Sequence, residues 1–218
     1  IEVVTLDRQN PASEPILTSL PSQDWMPSLG VVYRLSGSQN LRVSASQTVN
    51  RPEFRELAPF QFTSITGGFE IAGNPDLVGA TIQSLDARWE WFPSSSDVIA
   101  ASAFYKSFED PIEMVLIPAV TRTLTYLNAE EARNQGLELE FRRTFSPFTL
   151  ILNYAYIDSQ ITLPEDTIQT NPQRPLVGQP DTVGNAVLEW YNPGTSSTVR
   201  LLYNYVGEQV HFAGSYGL

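Results

Sequence analysis

The sequence predicts an all-β protein, an antiparallel transmembrane β-barrel wall of about eight strands, on three observations. Apolar and polar residues alternate at a period of two through several stretches, most cleanly from Leu137 to Tyr156. The same hairpin recurs at intervals of about fifty residues, with turns centred near Gln39, Ser95, Pro147 and Gly194. The connections are also unequal, with tight turns at one end and loops of roughly two dozen residues or more at the other, the layout of an outer-membrane barrel.

In chain order, Ile1 to Arg8 reads as the end of a strand and Asn10 to Pro27, rich in Pro and Ser, as a loop. The first hairpin spans about 27–49, with Leu29, Val31, Tyr33 and Leu35 on one face, a turn at Gly37 to Asn40, and Arg42, Ser44 and Ser46 alternating with Val43 and Ala45 on the return. Residues 50–79 have no sustained period and read as a long loop. The second hairpin, about 81–108, sets Leu85, Ala87, Trp89 and Trp91 against Asp86, Arg88 and Glu90, and turns at Pro93 to Asp97. The connection after it holds an expected extra strand in Thr121 to Leu127, or a short helix capped by Asn128 and ended by Gly136. The third hairpin, about 133–157, carries Leu137, Leu139, Phe141 and Phe145 on one face, with Glu138, Glu140, Arg142 and Thr144 between them. A third long loop runs from Asp158 to Asp181, and the fourth hairpin, about 182–206, turns at Asn192 to Thr195.

Aromatic residues gather near strand ends, among them Trp89, Trp91, Tyr154, Tyr156, Trp190 and Tyr205, as in the girdles of membrane barrels. Alternation by itself fits equally a soluble β-sandwich with one wet face. The inequality of the connections favours the barrel, and a mean hydropathy of −0.15 does not oppose it, because averaging hides an alternating lipid face. A soluble carbohydrate-binding sandwich and a small structural outer-membrane barrel stand as the alternatives.

The 218 residues carry a formal charge of −11, which disfavours nucleic acid as a partner. There is no cysteine and only one histidine, His211, so thiol sites and His-pair metal motifs are excluded. No run of 18 apolar residues is present. No nucleophile-elbow, zincin or P-loop pattern occurs, so no catalytic residue, cofactor or metal is expected and the protein is read as not an enzyme. Glu165, Asp166 and Asp181 supply carboxylate oxygens in one loop, but their spacing matches no standard calcium loop.

Four segments, SQTVNRPEFRELAPFQF (46–62), GNPDL (73–77), FYKSFEDPIE (104–113) and NAEEARNQGLELEFRR (128–143), together resemble the barrel of TonB-dependent outer-membrane receptors. The resemblance implies a 22-stranded type of barrel around a plug, short periplasmic turns, long extracellular loops and a place in the outer membrane of a Gram-negative bacterium. It further implies uptake, energised by the TonB complex acting through the plug, of a scarce bulky ligand such as a siderophore, cobalamin or an oligosaccharide. Residues 1–218 then read as about a third of the barrel wall, internal or near the C-terminus, with the plug absent from this stretch. Outer-membrane lipid, the TonB complex and an extracellular ligand are the expected partners. Under this resemblance the loop residues Arg51, Arg55, Glu56, Phe60, Arg122 and Arg174 are the candidate ligand contacts, because arginine clamps an anionic ligand such as a ferric siderophore.

Overall fold

The computed structural model describes residues 2–6, 16–20, 23–63, 70–117, 123–164 and 172–211. Strands β1 (Glu2–Leu6) and β2 (Ile16–Leu20) form an antiparallel pair of their own. The main sheet is a meander of eight long strands separated by outer connections that hold the remaining elements. Strands β3 (Ser28–Ser36) and β4 (Gln39–Asn50) come first, followed by the helical turn α1 (Phe54–Leu57) and the short strands β5 (Gln61–Thr63) and β6 (Glu70–Ala72). Strands β7 (Ala80–Trp91) and β8 (Val98–Glu109) precede a loop hairpin of β9 (Ile112–Ile117) and β10 (Thr123–Asn128). Strands β11 (Glu131–Phe145) and β12 (Phe148–Thr162), the two-residue β13 (Gln173–Arg174), then β14 (Thr182–Asn192) and β15 (Ser197–Val206) are the remaining elements among the described residues.

Every neighbour in the order β15-β14-β12-β11-β8-β7-β4-β3 is antiparallel, with short turns at one end and long connections at the other. Register places whole rows of residues on one face. Tyr33, Leu41, Trp89, Ala101, Leu139, Tyr154, Gly184 and Tyr205 are successive cross-strand partners. On the opposite face Arg42, Arg88, Ser102, Glu138 and Ala155 form another row. Period two makes this separation unavoidable, since consecutive side chains leave opposite sides of the pleat.

The apolar face is uncovered. Leu29, Tyr33, Leu137, Tyr156 and Leu201 are all half exposed or more, and among the described residues no second sheet packs over them. A soluble sandwich would bury this face about 10 Å below a partner sheet, so that alternative is excluded. Lipid is the solvent in which such a surface is stable. Along β12 the apolar run from Phe148 to Tyr156 is about nine residues, the length a tilted strand needs to cross the hydrocarbon. Phe145 and Phe148 meet at the turn end with ring centroids 6.0 Å apart and their planes tilted by 34°.

Strands β11 and β12 each run for 15 residues, or about 50 Å, and therefore project beyond the hydrocarbon on the long-loop side. This extension replaces the helix expected from Asn128 to Gly136. The signals that suggested it, Asn128 as a cap and Gly136 as a stop, have other causes. Asn128 is a hydrogen-bond hub, and Gly136 is required by packing: a Cβ there would lie 2.3 Å from the Tyr156 carbonyl and 2.7 Å from the Phe104 ring, which lies over it from the adjacent strand. The loop read over Asn10 to Pro27 contains β2, and the stretch 50–79 contains α1, β5 and β6. The extra strand expected in Thr121 to Leu127 corresponds to β10 (Thr123–Asn128), and Thr121 and Arg122 lie outside the described residues.

Candidate ligand-binding loops and the charged lumen face

On the long-loop side, α1, β5, β6, β9 and β10 form a small built structure. β5, β6, β10 and β9 make a four-stranded sheet in that order, with β6 and β10 parallel, so the connection after β4 is stitched to the connection after β8. Leu57 and Leu77 are its buried centre, with Ile112 and Tyr126 against them. Burying each leucine stabilises the loops by about 1.5–3 kcal/mol, little enough that polar links matter as much.

Asn128 supplies several of those links. Its amide nitrogen donates to the carbonyls of Val78 (3.1 Å) and Asp110 (2.7 Å), and its Oδ1 accepts from the Val78 amide (2.9 Å). Asn74 donates to the Tyr126 carbonyl at 3.0 Å, and its own amide bonds the Glu56 carbonyl. Gly73 lets the two segments close together, since a Cβ would fall 2.3 Å from the Ala58 oxygen. The GNPDL segment is thus a buckle between two loops.

The third loop joins through a buried ion pair. Arg174 on β13 places Nη2 2.8 Å from Glu113 Oε1 on β9, with both side chains under a tenth exposed. Arg174 Nη1 also donates to the Pro175 carbonyl at 3.1 Å, while Arg174 Nε and Nη2 and Glu113 Oε1 make no hydrogen bond among the described residues, so the pair is held by charge. Burial pushes the Glu113 carboxyl above its ordinary value, and the Arg174 charge and the Val177 amide offset this only in part. Beside the pair, Ala129, Ala132, Ile161 and Leu163 form a second buried cluster.

Of the expected contact residues, Arg55 and Phe60 lie exposed on this cap, with Phe54 beside them. Glu56 is half-buried and structural in part: its carboxylate accepts the Glu53 amide at 2.8 Å at the start of α1. Burial, then the Glu56 charge, push the Tyr126 phenol upward. Arg51 is exposed and paired with Asp24 at 2.6 Å. Arg174 is in the buried seam rather than on the surface, and Arg122 lies outside the described residues. So do Glu165 and Asp166 of the acidic loop; Asp181 is described, its amide donating to the Glu208 carbonyl at 3.1 Å. Arg51, Arg55, Glu56 and Phe60 therefore share one outer region. Sequence reasoning missed Phe54, Asn128 as a hub, and Glu113. A glutamate between apolar residues in PIEMV was the available signal for the last.

The face opposite the apolar one carries a continuous charged chain across four strands. Arg42 Nε meets Glu90 Oε2 at 2.8 Å, and Arg88 Nε meets Glu90 Oε1 at 3.0 Å. Arg88 also bonds Ser102 at 3.1 Å and Glu140 at 2.6 Å. Arg200 pairs with Glu189 further round. In a barrel this face lines the lumen, where such charges stay hydrated or paired.

Comparison with known proteins accords with this geometry. The family model described as TonB dependent receptor-like, beta-barrel matches residues 4–218. The chain is 28% identical over 196 residues to the iron-regulated outer membrane virulence protein of Vibrio cholerae, covering 84% of this chain and 29% of that protein. Among solved structures, the siderophore receptor PirA of Pseudomonas aeruginosa matches with a TM-score of 0.62 at 17% identity, over 84% of this chain and 34% of that one. A mutant ferric enterobactin receptor of the same organism, in complex with enterobactin, matches at 0.60 and 18%, over 85% and 28%. The FrpB iron transporter of Neisseria meningitidis matches at 0.58 and 13%, over 88% and 27%. At these identities the structures establish the fold, and the chain spans under a third of the length of the curated relatives it matches.

Proposed function

The chain belongs to the TonB-dependent receptor β-barrel family of the Gram-negative outer membrane, and from that premise we propose that it supplies wall and outer loops to an active importer of a ferric siderophore. The observation that carries this reading is the ordered cap on the long-loop side, which presents Arg55, Phe54 and Phe60 outward near the exposed Arg51–Asp24 pair. A ferric siderophore is bulky, anionic and partly aromatic, and arginines interleaved with aromatic rings suit it through charge-assisted hydrogen bonds and ring contacts. The relatives named for iron regulation and for enterobactin support the same class. The charged lumen chain of Arg42, Glu90, Arg88 and Glu140 faces the space that a plug fills in this family, and TonB acts through that plug.

The test is uptake of radiolabelled ferric siderophores by cells that carry the complete receptor as their sole receptor of this type. Uptake that disappears without TonB, and that falls about tenfold in an Arg55→Ala, Phe60→Ala variant still present in the outer membrane, is the expected result. TonB-dependent uptake of cobalamin or an oligosaccharide, with ferric siderophores ignored, would overturn the ligand class.

A further inference from the structure

We propose that the Glu113–Arg174 pair is an exchange latch, in which a carboxylate of an incoming chelate takes the Arg174 guanidinium from Glu113 and releases the third loop from β9. The latch rests on the ferric-siderophore reading above and adds to it the kind of anion that is recognised. Arg174 and Glu113 are both buried, yet they meet through one contact, Nη2 to Oε1 at 2.8 Å. Neither of those atoms, nor Arg174 Nε, completes a hydrogen bond among the described residues. The Nε–Nη2 edge of a guanidinium is one that takes a planar carboxylate through two parallel hydrogen bonds. Glu113 leaves that edge unfilled, because the Val177 amide also holds its carboxylate. A free carboxylate satisfies both donors and is therefore the better partner. The paired oxygens of a ferric catecholate are taken up by the iron, so a carboxylate-bearing chelate suits this edge better.

The pair stands between the outer loops and the lumen. Arg174 lies opposite Ile161, and Ile161, Ala132 and Phe108 are successive cross-strand partners. Ala132 and Glu138 are six residues apart on β11 and leave the same side of the pleat, so the latch is on the lumen side of the strand extension. Other ties flank it. The Leu176 amide donates to Ser159 Oγ at 3.3 Å, and Leu176 packs against the cluster of Ala132, Ile161 and Leu163. The Gly178 amide bonds the Val210 carbonyl at 2.8 Å. When Arg174 changes partner the loop keeps these anchors, while the Val177 amide loses its acceptor as Glu113 turns away.

The experiment uses the complete receptor in detergent, without TonB, and two ferric complexes of one linear hydroxamate chelator. The first complex carries a free carboxylate, and the second carries that group as its primary amide. Expected is about tenfold tighter binding of the acid. The preference should grow about tenfold in Glu113→Gln, where the competing charge is gone. It should disappear in Arg174→Lys, which keeps the charge and loses the two-pronged edge. Bound acid, and not bound amide, should speed exchange of the Val177 amide about tenfold while the amides of β12 stay protected. Heat-dependent gel mobility verifies that each variant is folded. Equal binding of acid and amide in both the wild type and Glu113→Gln, a preference that survives Arg174→Lys, or a Val177 amide indifferent to the acid would each overturn the latch alone. Failure of both complexes to bind any of the three proteins would also overturn it, and the uptake assay decides the ferric-siderophore reading separately.

Discussion

Replacing Arg174 by alanine should unfasten the third outer loop from the other two, by an amount that depends on pH. The Glu113 carboxylate would then be buried without its cation. Breaking a buried ion pair from one side costs about 3–5 kcal/mol. Protonation sets a ceiling, however: neutralising a carboxyl of ordinary value 4.5 at pH 7 costs about 3 kcal/mol at 1.36 kcal/mol per pH unit. The expected loss is therefore at most about 3 kcal/mol at neutral pH, because the raised carboxyl of the intact pair already bears part of that cost. Its sign with pH follows from the raised carboxyl. A group held above its ordinary value stabilises the folded loops below that value, and the contribution is lost as pH rises through the folded pKa. The Arg174→Ala defect should thus shrink toward pH 4 and be greatest near pH 7. Glu113→Gln in the same background should restore most of the loss, since it removes the charge and keeps the shape. Hydrogen exchange of the amides of 112–115 and 173–177 in the complete receptor reads the local opening directly. A loss independent of pH, or one that Glu113→Gln does not relieve, would refute the reasoning.

Three further outcomes follow from the same structure. Gly136→Ala should lower the unfolding temperature, at a cost of about 1–3 kcal/mol, because its Cβ meets the Tyr156 carbonyl and the Phe104 ring; trimming the ring in Phe104→Leu should relieve only the second clash. Asn128→Leu leaves two carbonyls and one amide without partners, so exchange at Val78 should accelerate by at least about tenfold while the main sheet stays protected. At the β7–β8 turn the Thr144 amide holds the Asp97 carboxyl below its ordinary value. That contribution is present at neutral pH and fades as pH falls through the depressed value, so Asp97→Asn should abolish the loss of Thr144 amide protection, measured against intrinsic exchange, that acidification below the ordinary carboxylate range otherwise produces.

The barrel wall was legible because lipid and lumen impose opposite demands on adjacent residues. Leu137 and Glu138 declare their faces without help from the rest of the chain, and each short turn sits where alternation lapses. The outer cap was not legible for the converse reason. β6 and β10 are each only a few residues long, and they pair in parallel across about fifty positions. Nothing local in EIA or TLTYLN announces that partnership. Asn128 displayed a helix-cap side chain and Gly136 a helix stop, yet one ties three loop segments together and the other clears space for Phe104. Of the candidate contacts, Arg55 and Phe60 were recoverable as exposed loop residues. Arg174 looked the same in sequence, and only the fold shows that its partner is Glu113.

The contrast in how the two regions are held bears on how the proposed importer would work. The wall is bonded edge to edge through strands of 9–15 residues, so loosening any one of them costs many hydrogen bonds together. Among the described residues the cap is held by its short four-stranded sheet, two small buried clusters, the Asn128 hub and the Arg174–Glu113 pair, and the clusters, the hub and the pair are each worth a few kcal/mol at most. A ligand bound at a micromolar dissociation constant brings about 8 kcal/mol, which exceeds any one of these ties but not the wall. Binding energy spent on the cap can therefore rearrange loops while the barrel remains a fixed frame. On the proposed reading the Glu113–Arg174 pair is the place to expect that rearrangement first, because among the described residues it is the ion pair that ties the third loop to its neighbour, and a buried pair opens to water at less cost than an apolar seam.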